Sequence, residues 1–324
     1  MELFREVKVD WLGRKWYFLA FSLIFSVAGI FSMLFWHGIP LGVDFRGGTQ
    51  VTVHFNSEPN DDHIRAAMDH AGVRDARIQR ISGAQNVAGP GAQNNVIISL
   101  PQSTAQDTAH DQGRAEVENA LTQNYHDSSF SVQQVDIVGP TAGKQLQSQA
   151  WLATIYSLIG MLIYLWFRFE LIYGIAAVVA VFHDTLITVG FFSLTNQEIT
   201  LTVIAAILTL IGYSMNDTIV VFDRIRENLA LSRRETLSQV VNRSINQTLS
   251  RTVLTSGLTF LTVLSLYLFG GEVLHGFSFA LVIGILIGTY SSIAVAAPML
   301  VAYQDWRVSK GKRAALPAAT IVRR

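Results

Sequence analysis

Long apolar runs dominate this chain and are separated by short polar segments. A run of about 20 apolar residues has the length of a helix that crosses a bilayer. We therefore predict transmembrane helices at 16–36, 149–167, 171–194, 199–222, 251–270 and 274–303. The last run is longer than one crossing needs and contains Gly276, so the pattern does not fix where that helix starts.

One long polar segment, residues 37–148, lies between the first two runs. Within it, Val51, Val53 and Phe55 alternate with polar residues, as in a strand with one buried face. The pattern continues with a helix at 61–71, strands at 73–81 and 96–100 around a polar loop at 83–95, a helix at 107–125 capped near Ser103 or Thr104, and a strand at 130–138. The order βαββαβ is the ferredoxin-like split pattern. The predicted fold class is an α-helical polytopic membrane protein with one external α+β ferredoxin-like domain.

Glycine-bearing hinges flank this domain. The sequence VDFRGGTQ (43–50) precedes it and IVGPTAG (137–143) follows it. Such dipeptides allow backbone conformations that other residues resist. The candidate hinge residues are Asp44, Gly47, Gly48, Gly139, Pro140 and Gly143. The first segment lacks the Gly-Lys-Ser/Thr ending of a phosphate-binding loop, so we predict a linker or pivot instead of a nucleotide site.

Composition and charge narrow the class of protein. The 324 residues are 50% hydrophobic and only 15% charged, with zero net charge and no cysteine. The missing cysteines exclude disulfides, cysteine-bound zinc and thiol catalysis. The first apolar run is too long for the core of a signal peptide, so we interpret it as a retained membrane anchor.

Lysines and arginines predict the orientation, because they concentrate in cytoplasmic loops. They cluster in the arm 1–15, the link 223–250 and the tail 304–324, whereas the short links 195–200 and 270–276 have none. We therefore predict cytoplasmic termini and an external 37–148 domain. The link 223–250 is basic and amphipathic, which favours a helix lying in the membrane interface, with docking to a cytoplasmic partner as the alternative.

The candidate chemistry lies inside the apolar runs. Asp217 and Asn216 interrupt the fourth run, and Arg251 opens the fifth, one helical turn before Thr255. A carboxylate in a membrane costs about 2.5–3.5 kcal/mol even on lenient scales, and such residues usually mark ion or proton pathways. The pattern places these residues on polar stripes that would face one another. We predict a proton relay built from Asp217, Arg251, Asn216, Thr255 and, in the third run, Asp184.

Structural interpretations remain open for each residue. Arg251 could extend to the interface and only fix topology, and Asp217 could form a structural pair with Asn216. Asp184 must be paired, either with His183 or with a neighbouring helix, whether or not it relays protons. Threonines at helical spacing often only join helices, and the small residues Ala280, Gly284, Gly288, Ser292 and Ala296 indicate a packing seam.

Several motifs together resemble the SecF branch of the SecD/SecF family of protein-export membrane proteins, in the resistance–nodulation–division superfamily. They are VDFRGGT, IVGPTAG, FRFE (167–170), FHDT (182–185), IGYSMNDTIVVFDRIREN (211–228), NQTLSRT (246–252) and LFGG (268–271). The resemblance implies six transmembrane helices, a periplasmic domain, and a location in the cytoplasmic (inner) membrane. It also implies that the proton motive force, with no other cofactor, drives a non-enzymatic role in export.

The same resemblance implies partners and site residues. The implied partners are SecD, the SecYEG channel, YajC and an unfolded preprotein, and the implied proton-conducting residues are Asp217 and Arg251. Independently, no internal repeat is visible although transporters of this kind are often built from repeated halves, so a second chain is expected to complete the bundle.

Two other functions fit parts of the pattern. One is an exporter of small molecules or lipids from the same superfamily, although a single external domain of this size argues against it. The other is an intramembrane aspartyl hydrolase that uses Asp184 and Asp217. That chemistry needs two carboxyl groups in contact that share a proton.

Overall fold

Each of the six apolar runs forms a helix long and apolar enough to cross a membrane. A computed structural model describes residues 8–73, 76–80, 94–101, 109–169, 171–232 and 235–310. The long helices are α1 (Lys15–Phe31, continued by a π-helical turn Ser32–Trp36), α5 (Pro140–Arg168), α6 (Leu171–Leu194), α7 (Leu201–Leu231), α8 (Leu237–Phe269) and α9 (Gly271–Ser291). The last continues through a π-helical turn, Ser292–Ala296, into α10 (Ala297–Ser309).

Several of these helices are longer than the apolar runs that predict them. α5 begins at Pro140 instead of residue 149, because Pro140 occupies the first helical turn, where its missing N–H costs nothing. α7 has 31 residues, or about 46 Å at 1.5 Å per residue, against a hydrocarbon core of about 30 Å. Apolar composition therefore marks the bilayer crossing but not where the helix ends.

The link 223–250 is not a separate helix in the membrane interface, as the sequence suggests. Its two halves continue α7 and α8, which pair as a hairpin beyond the apolar runs. Asn228 donates hydrogen bonds of 2.8 Å to both Ser244 and Gln247 across the hairpin. Val240, Val241 and Ile245 on the apolar edge of the link are fully buried. The amphipathic pattern is real, but its apolar side packs on the protein instead of on lipid.

The short arm before α1 is fixed to this hairpin. Asn246 on α8 accepts a 2.9 Å hydrogen bond from the Trp11 indole N–H and donates one of 2.9 Å to the Val9 carbonyl. Asn242, one turn earlier, accepts from the Trp11 backbone N–H at 2.8 Å. The two asparagines thus hold the chain where it enters the bundle.

The polar segment folds as predicted into a ferredoxin-like domain. Its elements are the short helix α2 (Val43–Arg46), β1 (Gly48–Phe55), α3 (Asp61–His70), β2 (Arg77–Arg80), β3 (Asn95–Pro101), α4 (Ala109–Asn124) and β4 (Phe130–Val138). The strands form an antiparallel sheet in the order β2-β3-β1-β4. Val51, Val53 and Phe55 are fully buried under α3 and α4, as their alternation predicts. Most of the 83–95 loop and the predicted cap at Ser103 or Thr104 lie outside the described residues.

Candidate functional site

Asp217 lies inside the helix bundle, not on its lipid-facing surface. Its side chain is only 3% exposed on α7. The Ser256 hydroxyl of α8 donates a 2.6 Å hydrogen bond to its Oδ2 atom. A hydroxyl at this distance stabilises the carboxylate, because hydrogen bonds to charged acceptors are short and strong. α7 and α8 together therefore build a pocket for one ionisable group.

The other predicted relay residues lie beside Asp217 but on the open face of α7 and α8. Asn216, Arg251 and Thr255 are all exposed. No salt bridge joins Arg251 to Asp217 within the described ranges, although their charges interact at a distance. The Thr255 hydroxyl donates a 3.0 Å hydrogen bond to the Arg251 carbonyl, so it bonds within its own helix and does not reach across the bundle. The single polar face expected from the sequence is thus wrong, because Asp217 points inward whereas the other three residues lie on the exposed surface of α7 and α8.

A second set of hydroxyls on α8 faces inward with Ser256. Thr248, Thr252 and Ser256 follow one another at single-turn spacing, and all three are buried. The Thr252 Oγ1 atom has no hydrogen-bond partner in the described structure. The sequence interpretation missed Ser256, the residue that contacts Asp217. Its spacing of four residues from Thr252 is the pattern that could have identified it.

Asp184 is the centre of a separate polar cluster that joins three helices. Its carboxylate on α6 is 1% exposed. It accepts hydrogen bonds of 2.6 Å from the Ser214 hydroxyl of α7 and of 2.8 Å from the Ser291 hydroxyl of α9. The His183 ring nitrogen lies 3.0 Å from the same carboxylate. Both pairings that the sequence left open therefore occur together. Neither serine was predicted, because a serine within an apolar run is equally typical of helix packing.

The two carboxyl groups do not form a catalytic pair. Asp184 and Asp217 are each held by serines of different helices, and within the described residues no hydrogen bond joins them. An aspartyl hydrolase needs two carboxyl groups that share one proton. This geometry therefore disfavours the hydrolase interpretation. Within the described residues, no group of three His, Asp or Glu side chains could hold a metal ion.

Glycine on α9 allows the Asp184 cluster to form. A Cβ atom on Gly288 would lie 3.0 Å from the Ser214 Cβ and 3.6 Å from Asp184 Oδ2. Gly284, one turn earlier, packs still more closely on Leu210 of α7. Ala280, Ser292 and Ala296 on the same stripe are fully buried. The predicted small-residue seam therefore brings α9 against α7.

We expect Gly288→Val to destabilise the bundle by about 1–3 kcal/mol, because overpacking a tight contact costs that much. The added side chain displaces Ser214 from Asp184. The thermal unfolding midpoint of the detergent-solubilised protein measures the effect. Gly160→Val on α5 is the matched control, since a Cβ there meets nothing within 4 Å. Equal midpoints for the two variants would contradict the packing role.

The two hinges touch each other. Gly47 has φ +75°, a region that favours glycine, and a Cβ there would lie 2.9 Å from the Pro140 Cα. A Cβ on Gly143 would lie 3.0 Å from the Gly47 nitrogen. Gly48 begins β1 opposite Val138, which ends β4, so the sheet itself brings the hinges together. Only Gly139 separates β4 from α5, which begins at Pro140.

Asp44 fixes this paired hinge to the bundle. Its Oδ2 atom accepts a 2.9 Å hydrogen bond from the Leu201 backbone N–H at the start of α7. The free N–H groups of a helix start favour a negative partner. The predicted hinge residues are therefore brought together at the top of α7, the helix that carries Asp217 lower down.

Comparisons with known proteins agree on one family. Residues 117–306 match the family described as "Protein export membrane protein SecD/SecF, C-terminal", and residues 34–58 match the "SecD/SecF GG Motif". The chain is 54% identical to the protein translocase subunit SecF of Koribacter versatilis, with 98% of this chain and 96% of the relative covered. It is 41% identical to the corresponding subunit of Calditerrivibrio nitroreducens, covering 91% and 94%.

Solved structures show the same similarity. The crystal structure of SecDF from Thermus thermophilus, a translocon-associated membrane protein, matches with a TM-score of 0.79 at 34% identity over 93% of this chain. SecDF in a super-membrane-facing form matches with a TM-score of 0.66 at 35% identity over 95%. This chain spans 39% and 40% of those longer chains, respectively.

Proposed function

The chain belongs to the SecD/SecF family of protein export membrane proteins, and we propose that it couples a proton gradient to protein export. Within the family it groups with the SecF subunits of protein translocases, whose role is transport and not enzymatic catalysis. An exporter of small molecules or lipids is not favoured, because the relatives reported above are translocase subunits. The coupling requires no cofactor besides the gradient.

The observation that carries this proposal is the position of Asp217. It is a buried carboxyl group with one hydroxyl donor, and Asn216, Arg251 and Thr255 lie on the exposed surface beside it. Burial favours the protonated carboxyl, whereas an approaching guanidinium favours the ionised one. A movement that changes the distance of Arg251 would therefore load or release a proton. Asp184, held by three partners, stabilises the bundle in this scheme and does not conduct.

The exposed polar surface beside Asp217 calls for a partner. Thr202, Thr209, Gly212 and Asn216 form an exposed stripe of polar and small residues along α7. Exposed polar groups are costly in lipid, so a second polar helix surface should cover them. We assign this surface to a SecD chain, which supplies the other half of the bundle. The SecYEG channel, YajC and the unfolded preprotein complete the proposed assembly.

The basic residues support the proposed orientation. Arg224, Arg226 and Arg243 lie on the α7–α8 hairpin, at the bundle end opposite the ferredoxin-like domain. Lysine and arginine favour the cytoplasmic side. The protein therefore lies in the inner membrane with both termini cytoplasmic and residues 37–148 periplasmic. The paired glycine hinges then form the pivot between the membrane and the external domain.

Reconstituted vesicles test the coupling. Vesicles that contain this chain, a SecD chain and the SecYEG channel should export a preprotein faster with a proton gradient than after a protonophore dissipates it. Vesicles with the channel alone provide the control for any direct effect of the gradient. A charge that crosses 100 mV contributes about 2.3 kcal/mol, so one turnover can bias a conformational step but not move a long chain. An equal gradient effect with and without this chain would refute the proposal.

A further inference from the structure

A second buried carboxyl group lies outside the membrane helices, where the ferredoxin-like domain meets the bundle. Glu198 is on the short link between α6 and α7 and is only 9% exposed. Arg77 of β2 approaches it from the domain, with 3.9 Å between the Arg77 Nη1 and Glu198 Oε1 atoms. The same Arg77 nitrogen is buried and has no hydrogen-bond partner within the described ranges. The two charges are therefore close enough to attract each other, but no hydrogen bond between them offsets the cost of burying them.

Other contacts show that this link is where the domain is held. Gln79 of β2 donates 2.9 Å to the Asn196 carbonyl of the link. The Ile199 backbone N–H donates a 2.7 Å hydrogen bond to the Pro40 carbonyl, and the Ile199 carbonyl accepts one of 3.0 Å from the Gly42 N–H. These two bonds attach the link to the segment before α2. Only the Arg77–Glu198 contact among these contains titratable groups. A change in its charge would therefore change the strength of docking, whereas the other contacts contribute equally at every pH.

The charged groups around Glu198 come from every neighbouring element. They are Asp44 and Arg46 of α2, Arg65 of α3, Arg77 and Arg80 of β2, Asp136 of β4 and His275 of α9. Two open cavities of about 450 and 430 Å³ are each lined in part by Glu198 and give solvent a route to it. Protons can thus reach the carboxyl group from outside the bundle.

We propose that Glu198 and Arg77 position the ferredoxin-like domain as a proton-sensitive clasp, which is tight when the Glu198 carboxyl is protonated and loose when it is ionised. This proposal rests on the proposed function only for the membrane orientation, which places the ferredoxin-like domain on the side with the higher proton concentration. It assigns to Glu198 a role separate from that of Asp217. Glu198 would register the external proton concentration, and Asp217 would respond to the gradient across the bundle.

The direction of the effect follows from burial. Burial raises the pKa of Glu198, and the attraction of Arg77 only partly opposes this. Burial likewise lowers the pKa of Arg77. Desolvating an ion pair can cost more than its attraction returns. Because release exposes Glu198 to water, its pKa is higher in the docked state than in the released one, so proton uptake favours docking. Docking is then strongest at low pH and weakens as pH rises through the raised pKa.

Distance measurements between spin labels test the clasp. The chain has no cysteine, so Gln123→Cys on α4 and Leu268→Cys on α8 label the domain and the bundle without background. In the labelled wild type, the released population should grow as the pH rises above the ordinary glutamate pKa of about 4.3, by up to about tenfold per pH unit for one proton, until the raised pKa is passed. Glu198→Gln should stay docked throughout this range. An unchanged distance distribution in the wild type would overturn the proposal.

Arg77→Gln independently checks the direction in which the docking transition shifts with pH. Removing its attraction raises the pKa of Glu198 further, so the transition should move to higher pH. A transition that stays in place or moves to lower pH would also overturn the clasp, as would a wild-type transition in Glu198→Gln. His275→Gln is the matched control and should leave the transition unchanged. The measurement needs no export, and Asp217→Asn in the labelled protein should keep the transition, so it distinguishes this inference from the proposed function.

Discussion

Replacing Asp217 by Asn should abolish the gradient-dependent part of preprotein export while leaving the protein folded. An amide has nearly the same volume as the carboxyl group, and its oxygen can still accept the Ser256 hydrogen bond. It cannot take up or release a proton, however. A bias of about 2.3 kcal/mol per charge at 100 mV corresponds to roughly 50-fold in a rate or equilibrium, which sets the upper limit of the expected loss. Export rates in vesicles with and without a protonophore measure it.

Substitutions of neighbouring residues make this test specific. Arg251→Ala should also lose the gradient effect, whereas Arg251→Lys keeps the charge and should retain part of it. Ser256→Ala removes the donor to Asp217 and should weaken the effect without abolishing it. Asp184→Asn should lower the amount of folded protein, but the fraction that folds should retain the gradient effect. Export by Asp217→Asn with the full response to the gradient, at an equal amount of protein, would disprove the assigned role.

Replacing Gly47 by Ala should strongly reduce the amount of folded protein. The positive φ together with ψ 150° costs a non-glycine residue about 1–3 kcal/mol. The Cβ would lie 2.9 Å from the Pro140 Cα, and such overpacking adds about 1–3 kcal/mol. The two costs together approach a large part of the usual stability of a domain, about 5–15 kcal/mol. The yield and the thermal unfolding midpoint of detergent-solubilised protein measure the change.

Gly72→Ala is a reference for the cost of a positive φ without a close contact. Gly72 has φ +79°, but a Cβ there meets nothing within 4 Å, so this variant carries only the backbone cost. Gly47→Ala should therefore unfold at a clearly lower temperature than Gly72→Ala. If the two midpoints fall equally, the contact between the hinges contributes nothing to stability.

The sequence predicts the large features of the fold because they depend on composition and period. Apolar runs of sufficient length form all six long helices. The alternation around Val51 and Val53 identifies the strand at the centre of the sheet. Helix ends follow capping and tertiary contacts instead, as at Pro140 and at Thr236, whose side chain caps α8. For the same reason the hairpin at 223–250 could not be told from an interfacial helix, since both bury one apolar edge.

The site was predicted in its residues but not in its geometry. A carboxylate such as Asp217 stands out in an apolar run, because its burial is costly wherever it lies. The direction it faces depends on how α7 and α8 rotate against each other, which a stripe of polar residues does not fix. The serines that contact the carboxyl groups were missed because a single hydroxyl adds little polarity. Contacts such as that of Glu198 with Arg77 join residues far apart in the chain and have no local pattern.

The single residue between β4 and α5 has a mechanical consequence. A helix of 29 residues is a stiff rod of about 43 Å, and here it continues directly from a strand that hydrogen-bonds the centre of the sheet. Tilting such a rod by about 10° displaces its far end by about 8 Å. Small rotations of the external domain that also tilt α5 would therefore move the far end of this helix on the other side of the bilayer. No additional structural element is needed to carry the movement.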